Sequence, residues 1–341
     1  LDKLLLKELC NLSGVSGRED EVRQWILARI DALATPHEVT VDAMGNVILH
    51  LIGRERPSKK LLLDVHIDEV GVIISHITED GYLQFETVGG IDKQSLFGSR
   101  IRFAEHLGVI GGKAKHHCVG EEQDRLPDAQ DMLIDIGVFN RASAEDKVQI
   151  GQVGTFAVAF EDYEDTGFFV GKAVDNRIGC ALLLSLAQTQ PPYDIWFSFT
   201  VQEEVGLRGA GVVSNVVRPD IAIAIDATTA QDTVGSSDET CVCRVGGGAV
   251  VSFADGATLY DSELYATIRQ IADENGVRTQ TKNRISGGNN AGAIQRSGVG
   301  VRMAAVSLPT RYIHSSRCVG KWEDVQAMEN LLSLLMERLP R

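Results

Sequence analysis

The chain has 341 residues, 44% of them hydrophobic and 23% charged, the make-up of an ordinary soluble globular protein. Its 47 acids outnumber its 33 Lys and Arg and give a net charge of -14. That balance argues against nucleic acid as a partner, because phosphates demand a basic face. No apolar run approaches the roughly 18 residues of a membrane span, so no membrane partner is expected either.

The N-terminal stretch "LDKLLLKELCNLSG" places Leu5, Leu6, Leu9 and Leu12 on a helical stripe and lacks the order of a signal peptide. The six Cys are scattered, as in a cytosolic protein with free thiols, and a cytoplasmic location is expected. Ser16 and Glu19 form a capping-box pattern ahead of the apolar face Val22, Trp25, Ile26 and Ile30, which predicts a helix of about four turns. "HEVTVDAMGNVILHLIG" reads as two strands around a turn at Gly45-Asn46, and "KKLLLDVHIDEVGVII" as one buried strand.

From 76 to 168 the texture changes to short alternating stretches separated by Gly and Asp, which predicts an inserted β-rich module. Inside it, "HHCVGEEQDRLPDAQDM" reads as an exposed loop. From 169 to 341 helix and strand alternate again: "RIGCALLLSLAQTQ" as helix, "YDIWFSFTVQEE" and "DIAIAIDAT" as strands, "SELYATIRQIADENG" as a helix closed by Gly276, "VGVRMAAVSLP" as strand and "WEDVQAMENLLSLLMERL" as terminal helix. The expected organisation is therefore a discontinuous α/β domain, 1–75 plus 169–341, interrupted by the 76–168 insertion.

Ligands of open α/β sheets sit beyond the carboxyl ends of the strands. Polar residues follow each apolar strand here: His66 and Asp68, Asp175, the adjacent Glu203 and Glu204, Asp226, and His314. Taken singly, each has a plain explanation as a turn former or solvated acid. Taken together, two His and several carboxylates suit Zn²⁺, Co²⁺ or Mn²⁺ better than Ca²⁺. Two ions need a bridging ligand, and a carboxylate such as Asp175 can bridge. Gly246-Gly247-Gly248 lacks the Lys-Ser/Thr of a phosphate loop and reads as a close backbone approach or turn. His116-His117-Cys118 reads as exposed. Ser315 and Ser316 lack a nucleophile elbow.

The markers "HIDEVG" at 66, "VGG-ID" at 88, "GKAVDNRIG" at 171, "VQEEVGLRGA" at 201, "AIDAT" at 224, "GGNNAGAI" at 287 and "RYIHSS" at 311 resemble the M42 metallo-aminopeptidases, the glutamyl or tetrahedral aminopeptidases, over nearly the whole chain. The resemblance implies a mixed-sheet α/β exopeptidase domain with an inserted β-barrel-like domain, two divalent metal ions and cytoplasmic trimming of peptides. It also implies a homo-oligomer, up to a tetrahedral dodecamer. Carried over residue by residue, it assigns His66 and Asp226 to one metal, Glu204 and His314 to the other, and Asp175 to the bridge. It makes Glu203 the general base for hydroxide attack on the peptide carbonyl, and Asp68 the acid that orients His66. Asn289 and Asn290 depart from the Thr-Asp of the family's Gly-Gly-Thr-Asp-Ala-Gly, which leaves the side-chain preference open. The alternatives are an N-acyl amino acid deacylase on the same core, a glycoside hydrolase using Glu203 with a second carboxylate, and a metal-free scaffold.

Overall fold

The computed structural model describes residues 1–120 and 127–341. One frame of the fold is an eight-stranded mixed sheet, in the order His37–Val41, Val47–Leu51, Ile195–Thr200, Leu61–His66, Ile221–Thr229, Arg302–Thr310, Ala249–Val251, Thr279–Thr281. The central strands sort their side chains by the two-residue period of a strand. Leu61, Leu63, Val65, Ile221, Ile223 and Ile225 enter the larger core with the helices Asp20–Asp31, Val174–Leu186, Ser262–Glu274 and Trp322–Arg338. Leu62, Ala222 and Ala224 face the other way, against Arg208–Val217 and Ala291–Ile294. The small residues on that second face let those helices approach closely. Each large aliphatic side chain buried this way contributes about 1.5–3 kcal/mol.

Six strands close into a barrel in the order Gly71–Ile77, Leu83–Val88, Leu133–Asp135, His106–Gly111, Arg100–Phe103, Val153–Phe156. Closure removes exposed strand edges, and Val72, Ile74, Phe85, Ile101, Phe103, Ile110, Ile134 and Phe156 fill its interior. The chain leaves the barrel through Glu161–Tyr163 and Phe168–Gly171, which form a three-stranded sheet with Cys318–Lys321.

Two local readings change. "KKLLLDVHIDEVGVII" is two strands rather than one: Leu61–His66 in the sheet and Gly71–Ile77 in the barrel. The division falls at Ile67–Val70, where Glu69 bridges to Val15 and the chain changes sheets. A Cβ on Gly71 would meet Val15 Cγ2 at 2.5 Å and the Gly154 carbonyl at 2.7 Å, so only glycine fits this crossing. The capping box at Ser16 and Glu19 does not form. The helix begins at Asp20; Ser16 Oγ donates to Asp68 Oδ2 at 2.6 Å, and Glu19 accepts from Gly17 N at 2.6 Å and Gln202 N at 3.2 Å. The Ser16 hydroxyl is turned instead toward a distant carboxylate, Asp68, whose charge strengthens the bond it accepts.

His116 and His117 are exposed, and residues 121–126 of that predicted loop lie outside the described residues. Gly246 and Gly248 donate their N–H groups to the Asp324 carboxylate at 2.6 and 2.7 Å, a close backbone approach as read from the sequence. No helix among the described residues is long and apolar enough to cross a membrane.

Candidate metal centre

The sheet and the small three-stranded sheet bring the strand ends together in separate ways. Leu61–His66 and Ile195–Thr200 run parallel with His66 beside Thr200, so Glu203 and Glu204 follow just past His66. Ile221–Thr229 also runs parallel to Leu61–His66, with Ala224 beside Asp64, which brings Asp226 level with His66. Phe168–Gly171 pairs antiparallel with Cys318–Lys321, Gly171 opposite Cys318. Asp175 lies as far beyond Gly171 as His314 lies before Cys318, so both emerge from the same end of that ladder.

The result is a cluster in which Asp175 stands between two histidines. Its Oδ1 is 3.0 Å from His66 Nε2, and its Oδ2 is 3.3 Å from His314 Nε2. Asp226 Oδ1 lies 3.5 Å from His66 Nε2, and Glu204 Oε2 lies 3.3 Å from His314 Nε2. His66, Asp175 and Asp226 thus form one group of possible metal donors, and Asp175, Glu204 and His314 another; donor atoms of His66, Glu203 and Glu204 also fall within 4.8 Å of one another. His66 presents its other nitrogen, Nδ1, to the Asp68 carbonyl at 3.2 Å and to Oδ1 at 3.4 Å. An imidazole held at Nδ1 by an acid leaves Nε2 to a metal, the usual posture of a histidine ligand.

All seven residues singled out from the sequence, His66, Asp68, Asp175, Glu203, Glu204, Asp226 and His314, meet here. Asp68 does more than face His66. It accepts the backbone N–H groups of Glu203 and Glu204 at 3.0 and 3.1 Å. The turn that carries both glutamates is shaped by Gln202 at φ 57° before them and Gly206 at φ 116° after them. The barrel supplies a wall: a Cβ on Gly89 would sit 3.3 Å from Glu204 Cβ, and one on Gly90 would sit 3.7 Å from His314 Nδ1. Here the "VGG-ID" marker finds its place.

The electrostatics test whether this donor set suits cations. Burial, reinforced by Asp175, pushes Glu204 up to about 8 and Asp226 up to about 7. Burial also pushes Glu203 well above the usual carboxylate range, with Asp226, Glu204 and Asp175 adding to it. His314 is raised to about 9: burial opposes this, but the carboxylates of Asp175, Glu204 and Glu203 outweigh it. Asp175 moves down; burial opposes this too, and His314 and His66 prevail. Desolvation and mutual repulsion thus raise the proton affinity of these acids. Divalent ions would relieve the same repulsion, so the residues fit a metal pair.

Sequence reasoning missed the supports. Glu69 accepts from Lys172 Nζ at 2.8 Å on both oxygens, from Arg177 Nη2 at 3.3 Å, from Thr155 Oγ1 at 2.8 Å and from Gly14 N at 3.0 Å. All of these side chains are buried. This knot joins the barrel strand Val153–Phe156 to the segment carrying Asp175. Its signal was present as the Glu of "HIDE" and the Lys and Arg of "GKAVDNR". Asn176 Nδ2 donates to the Ile225 carbonyl at 2.7 Å, locking the Asp175 segment beside Asp226. Asp64, an acid in the middle of "LLLDV", accepts from Ser198 Oγ at 2.5 Å and Asn290 Nδ2 at 2.8 Å. Asn290 therefore faces the sheet. Asn289 joins Tyr260, whose hydroxyl donates to Asp255.

A model of the M42 glutamyl aminopeptidase family matches residues 45–331. The lysyl aminopeptidase of Pyrococcus furiosus is 30% identical, over 99% of this chain and 98% of its own. The TET aminopeptidase of a marine-sediment archaeon, Thaumarchaeota archaeon SCGC AB-539-E09, has a TM-score of 0.92 at 31% identity, covering 98% of this chain and 96% of its own. The TET1 peptidase of Pyrococcus horikoshii, described as assembling into a tetrahedron or a large octahedral shell, has a TM-score of 0.86 at 29% identity, covering 98% and 99%.

Proposed function

This chain belongs to the M42 glutamyl aminopeptidase family and is a peptide hydrolase, and from that premise we propose that it removes N-terminal residues from peptides at a centre built for two divalent ions. The observation that carries the proposal is Asp175, one carboxylate with each oxygen aimed at a different histidine. His66, Asp226 and Asp175 would hold one ion; His314, Glu204 and Asp175 would hold the other. Mixed imidazole and carboxylate donors suit Zn²⁺, Co²⁺ or Mn²⁺. When bound, such ions supply Lewis-acid polarisation of the scissile carbonyl and lower the pKa of water.

The remaining work falls to the chain. Glu203 is the general base: it takes the proton of the attacking water and returns it to the leaving amine. A high proton affinity suits it to hold that proton between the two steps. Asp68 keeps the two glutamates in register through their backbone N–H groups and fixes the His66 ring. The acidic surround gives a free α-amine a favourable partner. Likeness to the Pyrococcus horikoshii TET1 peptidase supports a homo-oligomeric state.

The test compares a free-amine peptide with its N-acetylated copy, using protein reconstituted with Zn²⁺, Co²⁺ or Mn²⁺. Mass spectrometry should show a ladder of N-terminal truncations for the first and none for the second. Equal cleavage of both, or internal fragments first, overturns the reading. Release of an acyl group with the peptide chain intact identifies a deacylase instead.

A further inference from the structure

The strand Arg302–Thr310 of the large sheet is fastened at both ends in the same way. At its start, Arg302 lays its guanidinium fork on Asp261, Nε to Oδ2 at 2.6 Å and Nη2 to Oδ1 at 2.8 Å. Just past its end, Arg311 does the same to Asp232, Nε to Oδ1 at 2.7 Å and Nη2 to Oδ2 at 2.9 Å. Arg302 stands beside Ile221, at the end of the ladder away from the metal centre. Arg311 opens the segment that delivers His314, and Asp232 follows the strand Ile221–Thr229 that delivers Asp226.

The His314 segment depends on such a fastening. No side chain from 311 to 317 is buried, so apolar packing holds it little. Tyr312 and His314 both stand at φ 57°, a left-handed conformation that a residue with a Cβ keeps only where its surroundings fix it. Ser315 Oγ donates to the Tyr312 carbonyl at 2.5 Å, which rounds the turn without tying it to the rest of the fold. At 311 the segment is tied. Arg311 and Val319 exchange backbone N–H bonds at 3.0 Å each way, and the guanidinium grips Asp232. Asp232 is the fixed side of the pair: its side chain is 5% exposed, and its Oδ2 also accepts Val245 N at 3.1 Å. The same guanidinium lies 5.8 Å from the ring centre of Phe168, which begins the strand leading to Asp175. One side chain therefore joins the segments that carry His314, Asp226 and Asp175.

We propose that the Asp232–Arg311 pair positions His314, holding the segment 311–317 where His314 Nε2 meets Asp175 and Glu204, and so sets the affinity of the ion assigned to those three donors. The inference rests on the metal-pair reading of the centre. Two parallel bonds fix orientation as well as distance, which a single ammonium contact does not.

The experiment uses the full chain with Asp232→Asn, Arg311→Met, both together, and Arg302→Met, which removes an equally forked pair at the other end of the same strand. Zn²⁺ is titrated into metal-free protein against a chromophoric chelator, and amide exchange of residues 312–317 is followed in the metal-free state. Each single variant at 232 or 311 should bind one ion about 10- to 100-fold more weakly, the ion that His314→Ala also loses, and bind the other as wild type does. Exchange of 312–317 should quicken in the same variants. The double variant should lose no more than either single one, because the pair acts as a unit. Arg302→Met should alter neither readout. If Arg311→Met does not fold, Arg311→Lys, which keeps the charge without the fork, should weaken the same ion by a smaller factor. Unchanged binding of both ions, equal weakening in Arg302→Met, or additive losses in the double variant overturns the proposal. If wild type binds fewer than two ions, the metal-pair reading fails, and exchange of 312–317 alone decides whether the pair holds the segment.

Discussion

Asp68 accepts the backbone N–H of Glu203 at 3.0 Å, so one buried acid sets the position of the residue proposed to move the proton. The same carboxylate accepts from Glu204 N and faces His66. Hydrogen bonds from His66, Ser16 and the Glu203 N–H hold Asp68 below the usual carboxylate range even though burial opposes it. Asp68→Asn would turn an N–H donor toward backbone donors or leave one unmet. We expect turnover to fall by about 10- to 100-fold, the size seen when the partner of a metal-ligating histidine is lost. Steady-state kinetics with metal analysis would check this; unchanged turnover at full metal content contradicts it.

Glu203→Gln keeps the shape of the side chain and removes its proton capacity. Turnover should drop by about two or more orders of magnitude, as for loss of a general base, while metal content stays at the wild-type level. A variant that turns over normally excludes Glu203 from proton transfer.

Asp175 lies within ion-pair distance of both histidines, whereas among the described residues His314 makes such pairs with Asp175 and Glu204. Asp175→Ala should therefore weaken both metal sites, and His314→Ala mainly one. Metal content after dialysis separates the two outcomes, and full occupancy in both variants refutes the ligand set.

Glu69→Gln removes the counter-charge of two buried cations, Lys172 and Arg177. Burial already pulls the Lys172 ammonium below its ordinary pKa, with Glu69 opposing. Stranding buried charges costs about 3–5 kcal/mol. The variant should unfold at a clearly lower denaturant midpoint than wild type, both compared metal-free. A midpoint within experimental error of wild type would mean the knot is dispensable.

Asp261 caps the helix Ser262–Glu274 and pairs with Arg302; this hydrogen-bonded pairing brings its carboxyl down to about 2, with burial opposing. A depressed carboxylate stabilises the fold above its unfolded pKa of about 3.9 and loses that contribution as pH falls toward 2. The pair is partly exposed, so its charge effect is screened and worth about 1 kcal/mol or less. Asp261→Asn should be slightly less stable than wild type at pH 6, and the gap should close as pH falls to about 2. A gap that widens on acidification reverses the assignment.

Much of this was legible in the chain because strand ends announce themselves. An apolar run that stops at His-x-Asp or Glu-Glu signals a desolvated acid beyond a strand, and such acids need compensation. The period of the apolar residues located the helices Ser262–Glu274 and Trp322–Arg338, and the short alternating stretches anticipated a β-rich module, which the structure closes into a barrel. The readings that failed were those in which a local pattern had a distant competitor. Ser16 matched a capping box, yet its hydroxyl went to Asp68. The "LLLDVHIDEVGVII" run looked continuous because apolar residues fill both the sheet and the barrel, and periodicity does not say which core a strand enters.

The sequence by itself determined the family and the order of the candidate donors, since each depends on residue identity and spacing along the chain. The tertiary structure alone decided how the donors pair. That Asp175 lies between His66 and His314 follows from two separate registers, one in the large sheet and one in the ladder of Gly171 with Cys318. It alone also showed that Lys172 and Arg177 share Glu69. Composition counts charges, but only the folded chain shows which buried charges have a counter-ion. The interaction depends on distance and desolvation, and both are set by residues far apart in sequence.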